Sequence, residues 1–98
     1  MKHRRAAKVD NNQEEIVEDL RKLGFSVEVG HDDILVGTQG KSFWFEIKSS
    51  EAVSKKTGKI NESAKKKSQK VLERDWKGHY KIVSSIDEIL LDIKNSNN

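Results

Sequence analysis

The sequence predicts a single α/β domain in which helices flank a small mixed β-sheet, with elements in the order αβββαβα. Three observations lead there. The chain has 98 residues, the length of one domain. Its apolar residues switch between a helical spacing and strict alternation several times along the chain. Glycine-bearing breaks at Gly24, Gly30, Gly37–Gly40 and Gly78 separate those segments. Hydrophobic residues make up 34% and charged residues 36%, so the core must be compact and the surface densely charged.

The first helix is expected over 12–23. Asp10, Asn11 and Asn12 are good N-cap types, Ile16, Val17, Leu20 and Leu23 recur at helical spacing, and Gly24 closes the pattern. Its apolar face centres on Leu20 and includes Gln13, while Glu14 and Glu15 fall to either side. Phe25, Val27 and Val29 alternate with polar residues as a first strand, broken at Gly30-His31-Asp32. Ile34–Val36 and Phe43–Lys48 form the second and third strands around the turn at 37–42. A basic loop occupies 49–61. A helix over 62–76 turns Ala64, Val71, Leu72 and Trp76 inward and stops at Gly78. Tyr80–Val83 is the fourth strand. Ser84 or Ser85 caps a last helix with Ile86, Ile89, Leu90 and Ile93 inward. This leaves a basic, flexible arm over 1–9, one domain over 10–94 and a disordered tail over 95–98.

The hairpin carries the first functional clue. With Gln39-Gly40 as a two-residue loop, Thr38 faces Lys41, Val36 faces Phe43, Leu35 faces Trp44 and Asp33 faces Glu46. Carboxylates opposite each other on one sheet face repel at a cost of a few tenths to about 1 kcal/mol. A cation between them reverses that penalty, and hard divalent ions take one or two carboxylates, a carbonyl and waters. The backbone carbonyl of Ile47 is a further candidate ligand. Alternation also puts Lys48 on the face of Glu46, where it can orient a metal-activated water or stabilise transition-state charge. Acid-x-Lys occurs three times, but Asp75-Trp76-Lys77 and Asp92-Ile93-Lys94 lie at expected helix ends, where lysine complements the helix dipole. The plain alternative for Glu46-Ile47-Lys48 is a salt bridge on an exposed sheet face.

Composition narrows the chemistry. There is no cysteine, which excludes disulfides, thiolate zinc sites and a thiol nucleophile. No Gly-rich phosphate loop is present, so no nucleotide cofactor is expected, and nothing supports a serine triad. No apolar run approaches the roughly 20 residues of a membrane span. Met1-Lys2-His3-Arg4-Arg5 is basic without a following apolar stretch, unlike a secretory signal. A cytoplasmic protein is expected. The net charge of +3 leans mildly toward a polyanionic partner.

Several segments, in order, resemble the PD-(D/E)XK nuclease superfamily, and within it the short VRR-NUC proteins typical of phages. They are Arg4–Gln13; Asp33-Ile34-Leu35-Val36-Gly37, like the "PD" motif and its strand; Phe45-Glu46-Ile47-Lys48, like the "E-V-K" strand; Gln69, like a helical glutamine; and Trp76-Lys77-Gly78 with Val83–Glu88, like the family's ending. The resemblance spans nearly the whole chain. It implies a restriction-endonuclease-like core and Mg²⁺- or Mn²⁺-dependent phosphodiester hydrolysis. Asp33 and Glu46 would be metal ligands and Lys48 the catalytic lysine. It also implies a homodimer acting on branched DNA such as four-way (Holliday) junctions, in the host cytoplasm if phage-encoded. A two-fold dimer suits a junction because two sites can cut two symmetric strands.

The chain departs from that pattern twice. Asp32 replaces the usual proline; it either lends charge to the metal or solvates the turn, and the turn role is favoured. Gln13 stands where a helical glutamate is often found, and either holds a metal-bound water or is a polar residue at the helix start. Lys55, Lys56 and Lys59, then Lys65, Lys66, Lys67 and Lys70, are expected to contact DNA phosphates largely without regard to sequence, with Arg4, Arg5 and Lys8 adding to them. A solvated surface is the usual reading of such runs. Gln69 touches the site or caps packing. Trp44 stacks on a base or, as favoured, is buried under a helix. His31, near Asp33, either binds metal or acts as a base or, as is usual for a lone loop histidine, does neither; His79 receives no role. The alternative for the whole chain is a DNA-binding module that kept the fold without catalysis.

Overall fold

A computed structural model describes residues 4–96, with side chains from Asn12 onward. The expected arm, with the DNA contacts assigned to Arg4, Arg5 and Lys8, therefore lies outside the described side chains. The elements are α1 (Arg4–Lys22), β1 (Ser26–Val29), β2 (Asp33–Thr38), β3 (Lys41–Ile47), α2 (Lys67–Asp75), β4 (Lys81–Val83) and α3 (Ile86–Ser96). They form a small mixed α/β domain. Its four-stranded sheet has the order β1-β2-β3-β4, antiparallel except for the β3–β4 pair. That parallel pair requires a crossover, which α2 supplies.

Helix α1 begins at Arg4, eight residues before the expected start. It buries Ile16, Val17 and Leu20. Its end is a Schellman motif: Phe25 N–H donates to the Leu20 carbonyl (3.1 Å) and Gly24 N–H to the Arg21 carbonyl (3.0 Å), around Gly24 at φ +99°. This turn leaves Leu23 exposed, although its spacing placed it inward.

The hairpin has the expected register throughout, from Thr38↔Lys41 to Asp33↔Glu46. Gln39 and Gly40 both take positive φ, as a two-residue hairpin turn requires. Alternation then divides the sheet. Val27, Ile34, Val36, Phe43, Phe45, Ile47 and Val83 join Ile16, Val17 and Leu20 of α1 and Ile89 and Ile93 of α3 in one core. The other face holds Asp33, Leu35, Trp44 and Glu46.

The helix expected over 62–76 is shorter. Residues Glu62–Ala64 form a separate 3₁₀ turn, as do Ser50–Ala52 within the expected loop. Two interactions account for the later start. The Gln69 side chain accepts the Lys66 N–H (2.9 Å), capping the first turn from inside. Lys65 Nζ is held by Glu62 (2.8 Å) and Glu73 (3.0 Å). Gln69 is the buried residue of α2, whereas Val71 and Trp76, expected inward, are exposed. At the other end of the chain, α3 is capped as expected. Ser85 Oγ accepts the Glu88 N–H (3.3 Å) and Glu88 Oε1 accepts the Ser84 N–H (2.9 Å).

Candidate metal centre

Asp33 opens β2 and Glu46 is the last residue but one of β3, so the two meet at the end of the hairpin away from its turn. Ile47 N–H donates to the Asp32 carbonyl (2.8 Å). That bond makes Asp33–Glu46 a non-hydrogen-bonded pair, the kind whose side chains stand closest. The Ile47 carbonyl points to the same side of β3 as its N–H. Among the described residues it receives no return bond from Asp32 N–H.

Glu46 is 7% exposed, and its Oε2 is buried without a hydrogen-bond partner. A buried, unpaired carboxylate is costly as an anion. Burial pushes the Glu46 carboxyl from 4.5 up to about 7, with Asp33 and Asp32 adding to the rise while Lys48 and Lys66 oppose it. Lys48 therefore acts on Glu46 through space, but the two form no ion pair among the described residues. The exposed salt bridge considered from sequence does not describe this buried acid. The other two acid-x-Lys triplets do other work: Asp75 ends α2 and pairs with Arg74, and Asp92 pairs with His79.

Asp33 is held from several directions. Trp44 Nε1–H donates to Asp33 Oδ2 (2.8 Å). Gly30 lies so close that a Cβ there would stand 2.2 Å from Asp33 Oδ1. The Asp33 carbonyl accepts Gly30 N–H (2.8 Å) and Gln13 Nε2–H (3.2 Å). Gln13 is thus neither of the expected alternatives in simple form. It lies well inside α1 rather than at its start, and its amide nitrogen ties that helix to the Asp33 backbone.

Lys48 is fixed through its main chain. Its N–H donates to the Val83 carbonyl (2.8 Å), and its carbonyl accepts Asn12 Nδ2–H (2.9 Å). Asp32 Oδ2 lies 3.0 Å from His31 Nδ1 and 3.9 Å from Lys66 Nζ, so its carboxylate faces side chains at the surface. Trp44 is half-buried, meeting the rings of Trp76 at 5.5 Å and Tyr80 at 4.8 Å, both edge-on.

Tyr80 was missed in the sequence. Its hydroxyl, like Glu46 Oε2, is a buried side-chain atom without a hydrogen-bond partner among the described residues. Burial together with Glu46, Glu73 and Asp33 pushes it up to about 12, so it stays protonated beside the two acids. Ile82 pairs with Glu46, and alternation carries Tyr80 to the same face; only the parallel register reveals this. His79 was also passed over. Its Nδ1 accepts the Trp44 N–H (3.0 Å) while its Nε2 bonds Asp92. A cavity of about 380 Å³ opens beside Asp33, lined in part by Gly30, Leu35 and Trp44.

The expected DNA-contacting lysines divide. Lys55, Lys56 and Lys59 share one exposed tip. It is built by the Val53↔Ile60 bridge, by Ser54 Oγ accepting the Lys56 and Thr57 N–H groups (3.2 and 3.3 Å), and by Gly58 at φ +73°. Lys66, Lys67 and Lys70 are exposed at the start of α2. Lys65 is committed to Glu62 and Glu73. Gln69 caps α2 rather than facing solvent.

The donor set fits a hard divalent cation in kind: a pair of facing carboxylates, one with an unpartnered buried oxygen, beside a carbonyl. It is sparse, since among the described residues no group of three or more His, Cys, Asp or Glu is placed to hold a metal ion. Among those residues no helix is long and apolar enough to cross a membrane. Compared with known families, curated proteins and solved structures, the chain matches none.

Proposed function

We propose that this chain is a Mg²⁺- or Mn²⁺-dependent endonuclease with a restriction-endonuclease-like core. Asp33 and Glu46 are its metal ligands, the Ile47 carbonyl is a third donor, and Lys48 is its catalytic lysine. The observation that carries the reading is Glu46: a buried carboxylate with an unpartnered oxygen, directly across from a second carboxylate, is unfavourable unless a cation joins them. The ion would supply Lewis acidity toward a phosphodiester and lower the pKa of a bound water.

The chain's own residues do the rest. Asp33 and Glu46 offer their carboxylates from neighbouring strands. Lys48 brings a positive charge to the face where phosphorane charge develops, and its main chain is fixed by Val83 and Asn12. Hydrolysis adds water across one P–O bond, with the hydroxyl on phosphorus and the proton on the leaving oxygen. The lysine tip at 55–59 and the exposed lysines of α2 hold the phosphate backbone. The preference for branched DNA and the homodimer come from the sequence resemblance and belong to the same proposal.

The test is cleavage of junction, flap, nicked and linear DNA with Mg²⁺, Mn²⁺ or EDTA. Metal-dependent cutting is expected, abolished in Asp33→Ala and Lys48→Ala. Purified protein that cuts none of these substrates with either metal sinks the reading, and full activity in Lys48→Ala sinks the site. The sparse donor set favours one other reading, a DNA-binding module without catalysis. DNA binding indifferent to metal, with no Mn²⁺ uptake at millimolar concentration, would select it.

A further inference from the structure

We propose that Trp44 is a positioning residue for the metal centre: its indole N–H fixes the orientation of the Asp33 carboxylate. The proposal rests on the metal-site reading above.

An aspartate at the end of a strand turns about two side-chain torsions, and a cation must stop that motion in order to bind. Here the motion is already restricted on both sides. Trp44 Nε1 lies 2.8 Å from Oδ2, a charge-assisted bond of normal length. Gly30 packs against Oδ1 in space that even a methyl group would close.

Trp44 is itself immobilised. It sits in β3, and its backbone N–H, which points away from β2, is taken by His79 Nδ1 at 3.0 Å. His79 is held in turn by Asp92 and by edge contacts with Phe43 and Phe45 at 5.0 and 4.9 Å. The Trp44 ring is braced by Trp76 and Tyr80. A chain of contacts therefore runs from α3 through His79 and Trp44 to Asp33. The hairpin register makes it possible, because Trp44 lies diagonally across from Asp33, within reach of an aromatic side chain. Outer partners that orient metal ligands typically contribute about 10–100-fold in metal affinity.

The experiment measures Mn²⁺ binding to the full chain and to Trp44→Phe, which keeps an aromatic ring against Trp76 and Tyr80 but removes the donor. Circular dichroism verifies the fold. Trp44→Phe is expected to bind Mn²⁺ at least about tenfold more weakly. Its metal concentration for half-maximal cleavage should rise, while the rate recovers at saturating metal. Equal Mn²⁺ affinity in both proteins overturns the positioning role and leaves the metal site standing. Absence of Mn²⁺ binding by the unmodified chain overturns the metal reading and this inference with it.

Should Trp44→Phe fail to fold, the unmodified chain decides. It has two tryptophans, so Trp76→Phe assigns their indole N–H resonances. Saturating Mg²⁺ is expected to shift the Trp44 indole signal. A Trp44 signal unmoved by Mg²⁺ overturns the proposal.

Discussion

Glu46→Gln should stabilise this protein above neutral pH. Burial raises the Glu46 carboxyl from 4.5 to about 7, so between those values the folded chain holds a proton that the unfolded chain has lost. Stability then falls as pH rises from about 4.5, and the whole penalty is present above about 7. At about 1.4 kcal/mol per pH unit, the penalty reaches roughly 3 kcal/mol as an upper bound. Relaxation around the ionised group lowers it to about 1–3 kcal/mol. Glutamine has nearly the same shape and no charge to desolvate. The gain from Glu46→Gln is therefore about a quarter of its full value at pH 5 and grows to nearly all of it by pH 8. For a chain of this length that corresponds to a rise in Tm of roughly 5–15 °C. Thermal unfolding in EDTA, followed by circular dichroism from pH 5 to pH 8.5, reads it directly. Mn²⁺ should then raise the Tm of the unmodified chain and not of Glu46→Gln, because a ligand bound only by the folded state stabilises by mass action. A Tm difference that does not vary with pH, or a loss of stability at pH 8.5, would refute the buried-anion reasoning.

Three further outcomes are expected. Mn²⁺ affinity should increase with pH up to about 7, because ion binding displaces the Glu46 proton; calorimetry in two buffers of different ionisation enthalpy would detect that proton, and an affinity independent of pH would contradict it. Gly30→Ala should cost some stability and weaken Mn²⁺ binding markedly, since its Cβ would stand 2.2 Å from Asp33 Oδ1 and 3.1 Å from its Cγ, and displacing that carboxylate gives up its bond from Trp44. Unchanged metal affinity there would show that the carboxylate's placement does not matter. Replacing Lys55, Lys56 and Lys59 together by Gln should weaken DNA binding equally across sequences and reduce its salt dependence by up to about one logarithmic slope unit per lysine; an unaltered salt slope would remove the tip from the interface.

What the sequence determined by itself was the hairpin and, through it, the pairing at the site. Alternation and a two-residue turn are local properties, so placing Gln39-Gly40 at the turn carries Asp33 to Glu46 without knowledge of any other element. The same locality made the caps at Gly24 and Ser85 legible. Tertiary structure alone decided the surroundings of the pair. The phase of α2 follows Gln69, a polar residue whose amide caps the helix where it is buried, and apolar spacing pointed instead to Val71 and Trp76. Gln13 and Asn12 act across 20 and 36 residues of chain, on Asp33 and Lys48. Tyr80 reaches the site through a parallel register that depends on a crossover. Periodicity relates a residue to neighbours two to four positions away. The burial that raises Glu46, and the contacts that orient Asp33, come from elements that only the folded chain brings together.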